Sequence, residues 1–77
     1  MNPEREKALG EVLRRFRRST GLSQEAFGAR ARLDRTYISS VERGHRNPTI
    51  ASVRKWIVAA NVSWEEFGRQ LDKLDQR

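Results

Sequence analysis

The chain has no cysteine, one histidine, two prolines and no long apolar run, and each shortage removes a class of function. Without cysteine there is no disulfide framework and no thiolate chemistry, so the redox compartment leaves no mark on the sequence. His45 has no carboxylate in its own loop, and no metal site is expected. Nothing approaches the ~18 apolar residues of a membrane span and no signal-peptide pattern opens the chain, which makes the cytosol the default compartment. A glycine-rich phosphate loop is missing. The hydroxyls of Ser39 and Ser40 have no base in any recognisable relation to them. Glu4 with Glu6, and Glu65 with Glu66, read as first-turn acids favoured by the helix dipole, not as a general-acid pair. Neither catalysis nor a cofactor is expected. At 77 residues the chain reads as one domain, 1–77. A domain this small buries only about 60% of its unfolded surface, so its own stability is modest.

What is present is positive charge. The net charge is +6, and thirteen of the sixteen cations are arginine, whose planar fork matches phosphate oxygens and the guanine edge. Residues 1–46 carry eleven cations against six acids, whereas residues 61–77 carry three against four. A polyanion partner is expected for the first two thirds of the chain and not for the end.

Cap and stop signals divide the chain into five helices, over about 3–19, 24–31, 35–43, 50–60 and 64–74. Asn2-Pro3-Glu4 reads as a cap, a first-position proline and a first-turn acid. Leu9, Val12, Leu13 and Phe16 then recur at helical spacing until Gly21. Ser23 caps the second helix, with Phe27 and Ala31 inward. Asp34 caps the third, with Ile38 and Val41 inward and Leu33–Ile38 as a hydrophobic staple. After Gly44 and a polar loop, Thr49 caps the fourth, whose inward stripe is expected to be Ile50, Val53, Ile57 and Ala60. Asn61 closes it in a left-handed turn. Ser63-Trp64-Glu65-Glu66 is a capping box for the fifth helix, with Val62 and Phe67 as staple and a stripe through Leu71 and Leu74; Asp75-Gln76-Arg77 is expected to fray. No strand pattern occurs, so the expectation is a compact all-α chain.

The second and third helices, joined by Arg32, Leu33 and the cap Asp34, have the proportions of a helix-turn-helix, whose second helix enters the major groove. The outward face of the third helix carries Arg35, Thr36, Ser39, Ser40 and Arg43 with Tyr37 beside them, and no carboxylate after its cap. Short hydroxyls let a helix sink toward base edges, and arginine reaches guanine in bidentate fashion. Phosphate clamps are available at both flanks: the helix start at Ser23-Gln24, and Arg46 and Asn47 in the following loop. His45 either assists them or is an ordinary exposed loop residue.

The runs Leu22-Ser23-Gln24-Glu25-Ala26-Phe27, Leu33-Asp34-Arg35-Thr36-Tyr37-Ile38-Ser39, Val41-Glu42-Arg43-Gly44 and Arg46-Asn47-Pro48 resemble the phage-repressor/Cro-type helix-turn-helix family. They are similar in particular to the controller proteins of restriction–modification operons. The likeness spans about Leu9 to Phe67. It implies a five-helix lambda-repressor-like domain that regulates transcription from a palindromic operator in double-stranded DNA. The protein would act as a homodimer, with one dimer or two on an operator. It also implies that Arg35, Thr36, Tyr37 and Ser39 face bases, that Gln24, Arg43, Arg46 and Asn47 lie nearer the backbone, and that Arg17 pairs with Glu42. A phage or plasmid repressor, and an antitoxin-type interaction module of the same fold, share most of these residues. Two departures from the family stand out. Arg32 replaces a frequent turn glycine, and Gly28 replaces a frequent alanine, which weakens its helix by about 1 kcal/mol while permitting close approach.

One helix-turn-helix reads too few base pairs to select a unique genomic site, which argues for a twofold dimer. Trp56 and Val58, off the expected stripe of the fourth helix, and Trp64, Gly68 and Leu71 of the fifth are the candidate interface, in the region whose charge is not positive. The alternative is that both tryptophans complete a small core, a reading as good as the interface for Trp64, whereas Trp56, Val58 and Leu71 are the preferred interface residues.

Overall fold

The computed structural model describes residues 3–75. They form α1 (Pro3–Ser19), α2 (Gln24–Ala31), α3 (Arg35–Glu42), α4 (Ile50–Ala59) and α5 (Trp64–Asp75). Each boundary has a local cause. Ser23 Oγ accepts the Ala26 amide at 3.1 Å, Asp34 Oδ1 that of Thr36 at 3.0 Å, Thr49 Oγ1 that of Ser52 at 3.0 Å and Ser63 Oγ that of Glu66 at 3.0 Å. These bonds satisfy helix-start donors that have no partner within the helix. The Ser63 box is completed differently from the expectation, because the Glu66 carboxylate turns to Arg69 at 3.3 Å. At the other ends the chain turns left-handed at Gly21, Arg32, Gly44 and Asn61. There the amides of Leu33, His45 and Val62 reach back to Gly28, Ser40 and Ile57 at 2.8–2.9 Å, satisfying orphan carbonyls. Asn2, the expected first cap, and Gln76 and Arg77, expected to fray, lie outside the described residues; Asp75, grouped with them, is helical.

One core joins all five helices. Val12, Leu13 and Phe16 of α1 meet Phe27 and Ala31 of α2, Ile38 and Val41 of α3, Val53, Trp56, Ile57 and Ala60 around α4, and Leu74 of α5. Phe16 faces Phe67 with ring centroids 6.5 Å apart, which seats α5 on α1.

Two expectations for α4 are reversed. Trp56, expected at a dimer interface, is fully buried: its ring tilts against Phe27 at 5.6 Å and its Nε1–H donates to the Leu13 carbonyl at 2.8 Å. Ile50, expected in the core, is 75% exposed. Both follow from where the core ends. Val53, Trp56, Ile57 and Ala60 stand at i, i+3, i+4 and i+7 and cover it. Ile50 begins the helix one turn beyond that cover. A buried indole also needs a partner for its N–H, and the Leu13 carbonyl supplies one.

Candidate nucleic-acid interface

The platform beneath α3 is assembled from three elements. A methyl group on Gly10 would collide with the Val41 carbonyl oxygen and stand 3.0 Å from that of Glu42, so glycine lets α1 lie directly on the end of α3. Below that contact the Glu42 carboxylate accepts Arg17 Nε at 2.6 Å, Arg17 Nη2 at 3.0 Å and Gln24 Nε2 at 3.0 Å. Arg17 Nη1 donates to the Leu22 carbonyl at 2.8 Å. Both charged residues are buried, at 8% and 7% exposure. A fork-to-fork pair with its remaining lone pairs and protons occupied offsets the desolvation that an isolated buried charge would suffer. One node therefore ties α1, the start of α2 and the end of α3, and fixes the angle at which α3 is presented.

The turn between α2 and α3 is equally constrained. A methyl at Gly28 would lie 2.6 Å from the Leu33 carbonyl oxygen and 3.2 Å from Ile38 Cδ1. Arg32 adopts φ 59° and ψ 44°, left-handed backbone that costs an L side chain about 1 kcal/mol or more. Arg32 thus takes the left-handed conformation itself, at the position where the family frequently has glycine.

On this platform Arg35, Thr36 and Arg43 are exposed and Tyr37, Ser39 and Ser40 are half-buried along the outer side of α3. The one carboxylate of α3, Glu42, points inward to Arg17. The outer face is thus cationic and hydroxyl-bearing, without a fixed negative charge after its cap. Arg43 Nε leans back to the Ser39 carbonyl at 3.4 Å. Ser23 is exposed, but its hydroxyl caps α2, and the Gln24 amide is engaged by Glu42. What these two bring to a phosphate is chiefly the backbone amides of the α2 start. His45, Arg46 and Asn47 are exposed in the loop after α3. The Arg46 guanidinium sits over the Tyr37 ring, 4.9 Å from its centroid. Among the described residues no three of His, Cys, Asp and Glu stand together as metal ligands would, and no helix is long and apolar enough to cross a membrane.

The sequence reading missed three contacts: Gly10 under α3, Gln24 to Glu42, and Arg46 over Tyr37. Gly10 had a signal, since it precedes Leu13 by three residues and Arg17 by seven and so shares their inward face. Gln24 and Glu42 stand on different helices 18 residues apart, and Arg46 lies in a loop, so the periodicity of a helix reports neither pair.

At the opposite end Val58 is 70% and Trp64 47% exposed, with Trp64 edge-on to Phe67 at 5.9 Å. Gly68 and Leu71 are half-buried, and a methyl on Gly68 would meet none of the described residues within 4 Å. Trp64, Gly68 and Leu71 share one face of α5 at i, i+4 and i+7. Ile50, Ala51, Arg54, Lys55 and Val58 line a shallow open depression along α4.

The helix-turn-helix family matches residues 13–67. An uncharacterized HTH-type transcriptional regulator of Sinorhizobium fredii is 39% identical over 67 residues, 87% of each chain. Control protein C.MunI of a Mycoplasma species is 37% identical over 66 residues, covering 84% of this chain and 89% of that one. The crystal structure of the restriction–modification controller protein C.Esp1396I superposes with a TM-score of 0.87 at 33% identity, over 95% of this chain and 96% of that one. The same controller has been solved as a tetramer in complex with its natural 35 base-pair operator, with a TM-score of 0.86. This chain belongs to the helix-turn-helix family, and within it to the group of restriction–modification controller proteins.

Proposed function

We propose that this protein is a transcriptional regulator that binds a palindromic operator in double-stranded DNA as a homodimer, controls the genes of a restriction–modification operon, and catalyses no reaction. The observation that carries the reading is the outer face of α3, free of carboxylate after its cap and locked in place by the buried Arg17–Glu42–Gln24 node. Arg35 is the residue that forks onto a guanine edge, with Thr36, Tyr37, Ser39 and Ser40 against neighbouring bases. The backbone amides at Ser23-Gln24, together with Arg43, Arg46 and Asn47, clamp phosphates and set the register.

The dimer is joined through α4 and α5. Val58, Trp64, Gly68 and Leu71 remain its candidate residues, Trp56 is withdrawn to the core, and exposed Ile50 lines the same depression of α4 as Val58. Gly68 supports this assignment, because glycine inside a helix costs about 0.5–1 kcal/mol relative to alanine. Among the described residues nothing makes use of its bareness. A second helix approaching closely would. The controller C.Esp1396I is a tetramer on its operator, and two dimers side by side on one operator are the corresponding arrangement here.

Footprinting on DNA upstream of the protein's own gene, with sedimentation of the free protein, tests the reading. It expects a protected inverted repeat and a monomer–dimer equilibrium at micromolar concentration. Protection of an asymmetric site by one copy contradicts it.

A further inference from the structure

The Arg46–Tyr37 contact joins two residues that the proposed function uses separately. Arg46 belongs to the irregular loop between α3 and α4, where no helix holds its backbone. A free arginine side chain has large rotamer freedom, all of which is lost when it grips a phosphate. Tyr37 is the opposite: it stands on α3, half-buried, with its ring packed against the core. The Arg46 guanidinium carbon lies 4.9 Å from the centroid of that ring, inside the range of a cation–π contact. A guanidinium held by its face keeps its in-plane N–H donors for a phosphate.

We propose that Tyr37 is a positioning residue for Arg46: its ring is the platform that holds the guanidinium ready at the DNA surface. The inference rests on the reading of Arg46 as a phosphate clamp and adds how the clamp is aimed. Part of the sequence-independent affinity therefore passes through an aromatic ring on the reading helix. The aromatic face supplies that part, and the phenolic hydroxyl is left to whatever base lies next to it.

The test uses the full chain and a duplex lacking the operator, with affinity measured against salt concentration. Arg46→Ala should flatten the salt dependence by about one phosphate contact per subunit. Tyr37→Leu should weaken binding about two- to five-fold per subunit, the size of an exposed cation–π contact, and should do so only while Arg46 is present. Tyr37→Phe, which keeps the ring, should bind with the wild-type affinity and the wild-type salt slope. An equal loss from Tyr37→Leu in the presence and absence of Arg46 overturns the positioning role and leaves the clamp intact. An unchanged slope in Arg46→Ala overturns the clamp, and the inference with it. A second readout does not depend on the folding of a Tyr37 variant. The chain has one tyrosine, so its ring protons are readily identified by NMR. They should shift in Arg46→Ala, and ring resonances unmoved by that exposed substitution would refute the contact.

Discussion

A methyl group added to Gly28, where α2 packs on the turn to α3, would stand 2.6 Å from a backbone oxygen, whereas one added to Gly68 on α5 would meet none of the described residues within 4 Å. The two ends of the molecule differ in the same sense throughout. Beneath α3 the polar groups are mutually satisfied: Glu42 accepts from Arg17 and Gln24, and Arg17 also holds the Leu22 carbonyl. On α5 the ion pairs are exposed ones within the helix, Arg69 with Glu65 and Glu66, and Val58 of α4 and Trp64 of α5 lie open. The first end has its shape before any partner arrives, as a surface that reads a rigid duplex must. The second leaves Val58 and Trp64 open, and it is the surface proposed above for a second copy of the chain.

The largest effect that separates the ends is expected at the node. Glu42→Ala leaves Arg17 buried without its counter-charge and should cost about 3–5 kcal/mol in urea unfolding. Adding Arg17→Met should recover much of that loss. A cost no greater than the about 0–1 kcal/mol of an exposed pair would erase the distinction between the ends.

Next come two effects of similar size on α2 and α3. Gly28→Ala improves helix propensity yet forces a methyl into the turn, and should destabilise by about 1–3 kcal/mol on thermal denaturation. Arg35→Ala should leave the melt unchanged but cost about 1–3 kcal/mol of operator affinity and blur preference at one base pair of each half-site. Loss of affinity without loss of preference would mean that α3 clamps but does not read.

The smallest effect has the opposite sign. Gly68→Ala should stabilise the protomer by about 0.5–1 kcal/mol, raising its melting temperature by several degrees, while weakening the dimer in sedimentation. Val58→Glu should weaken the dimer with no gain in stability, because Val58 is 70% exposed and touches little of the core. Dimerisation unaffected by either change would place the interface elsewhere.

Much of this was legible in the residues, because helix ends are local chemistry. Ser23, Asp34, Thr49 and Ser63 cap where they were expected to, and every helix end falls within one residue of its expected place. The pair Arg17–Glu42 was legible only through family resemblance, since the two stand 25 residues apart and no local rule joins them. Ile50 and Trp56 were misplaced for a different reason. A helical stripe marks one side of a helix but not where along that side the core stops. Trp56 stands three residues after Val53 and so on the inward stripe, but starting that stripe at Ile50 left it out; only the partner of its N–H, the Leu13 carbonyl 43 residues away, is something no pattern within α4 could show.

Selection of bound sequences from a pool of random duplexes tests the central claim most directly, because it makes no assumption about the operator. The account predicts enrichment of an inverted repeat whose half-site centres lie about one helical turn, ~34 Å, apart. Enrichment of a site without twofold symmetry, or no enrichment over the starting pool, would contradict it.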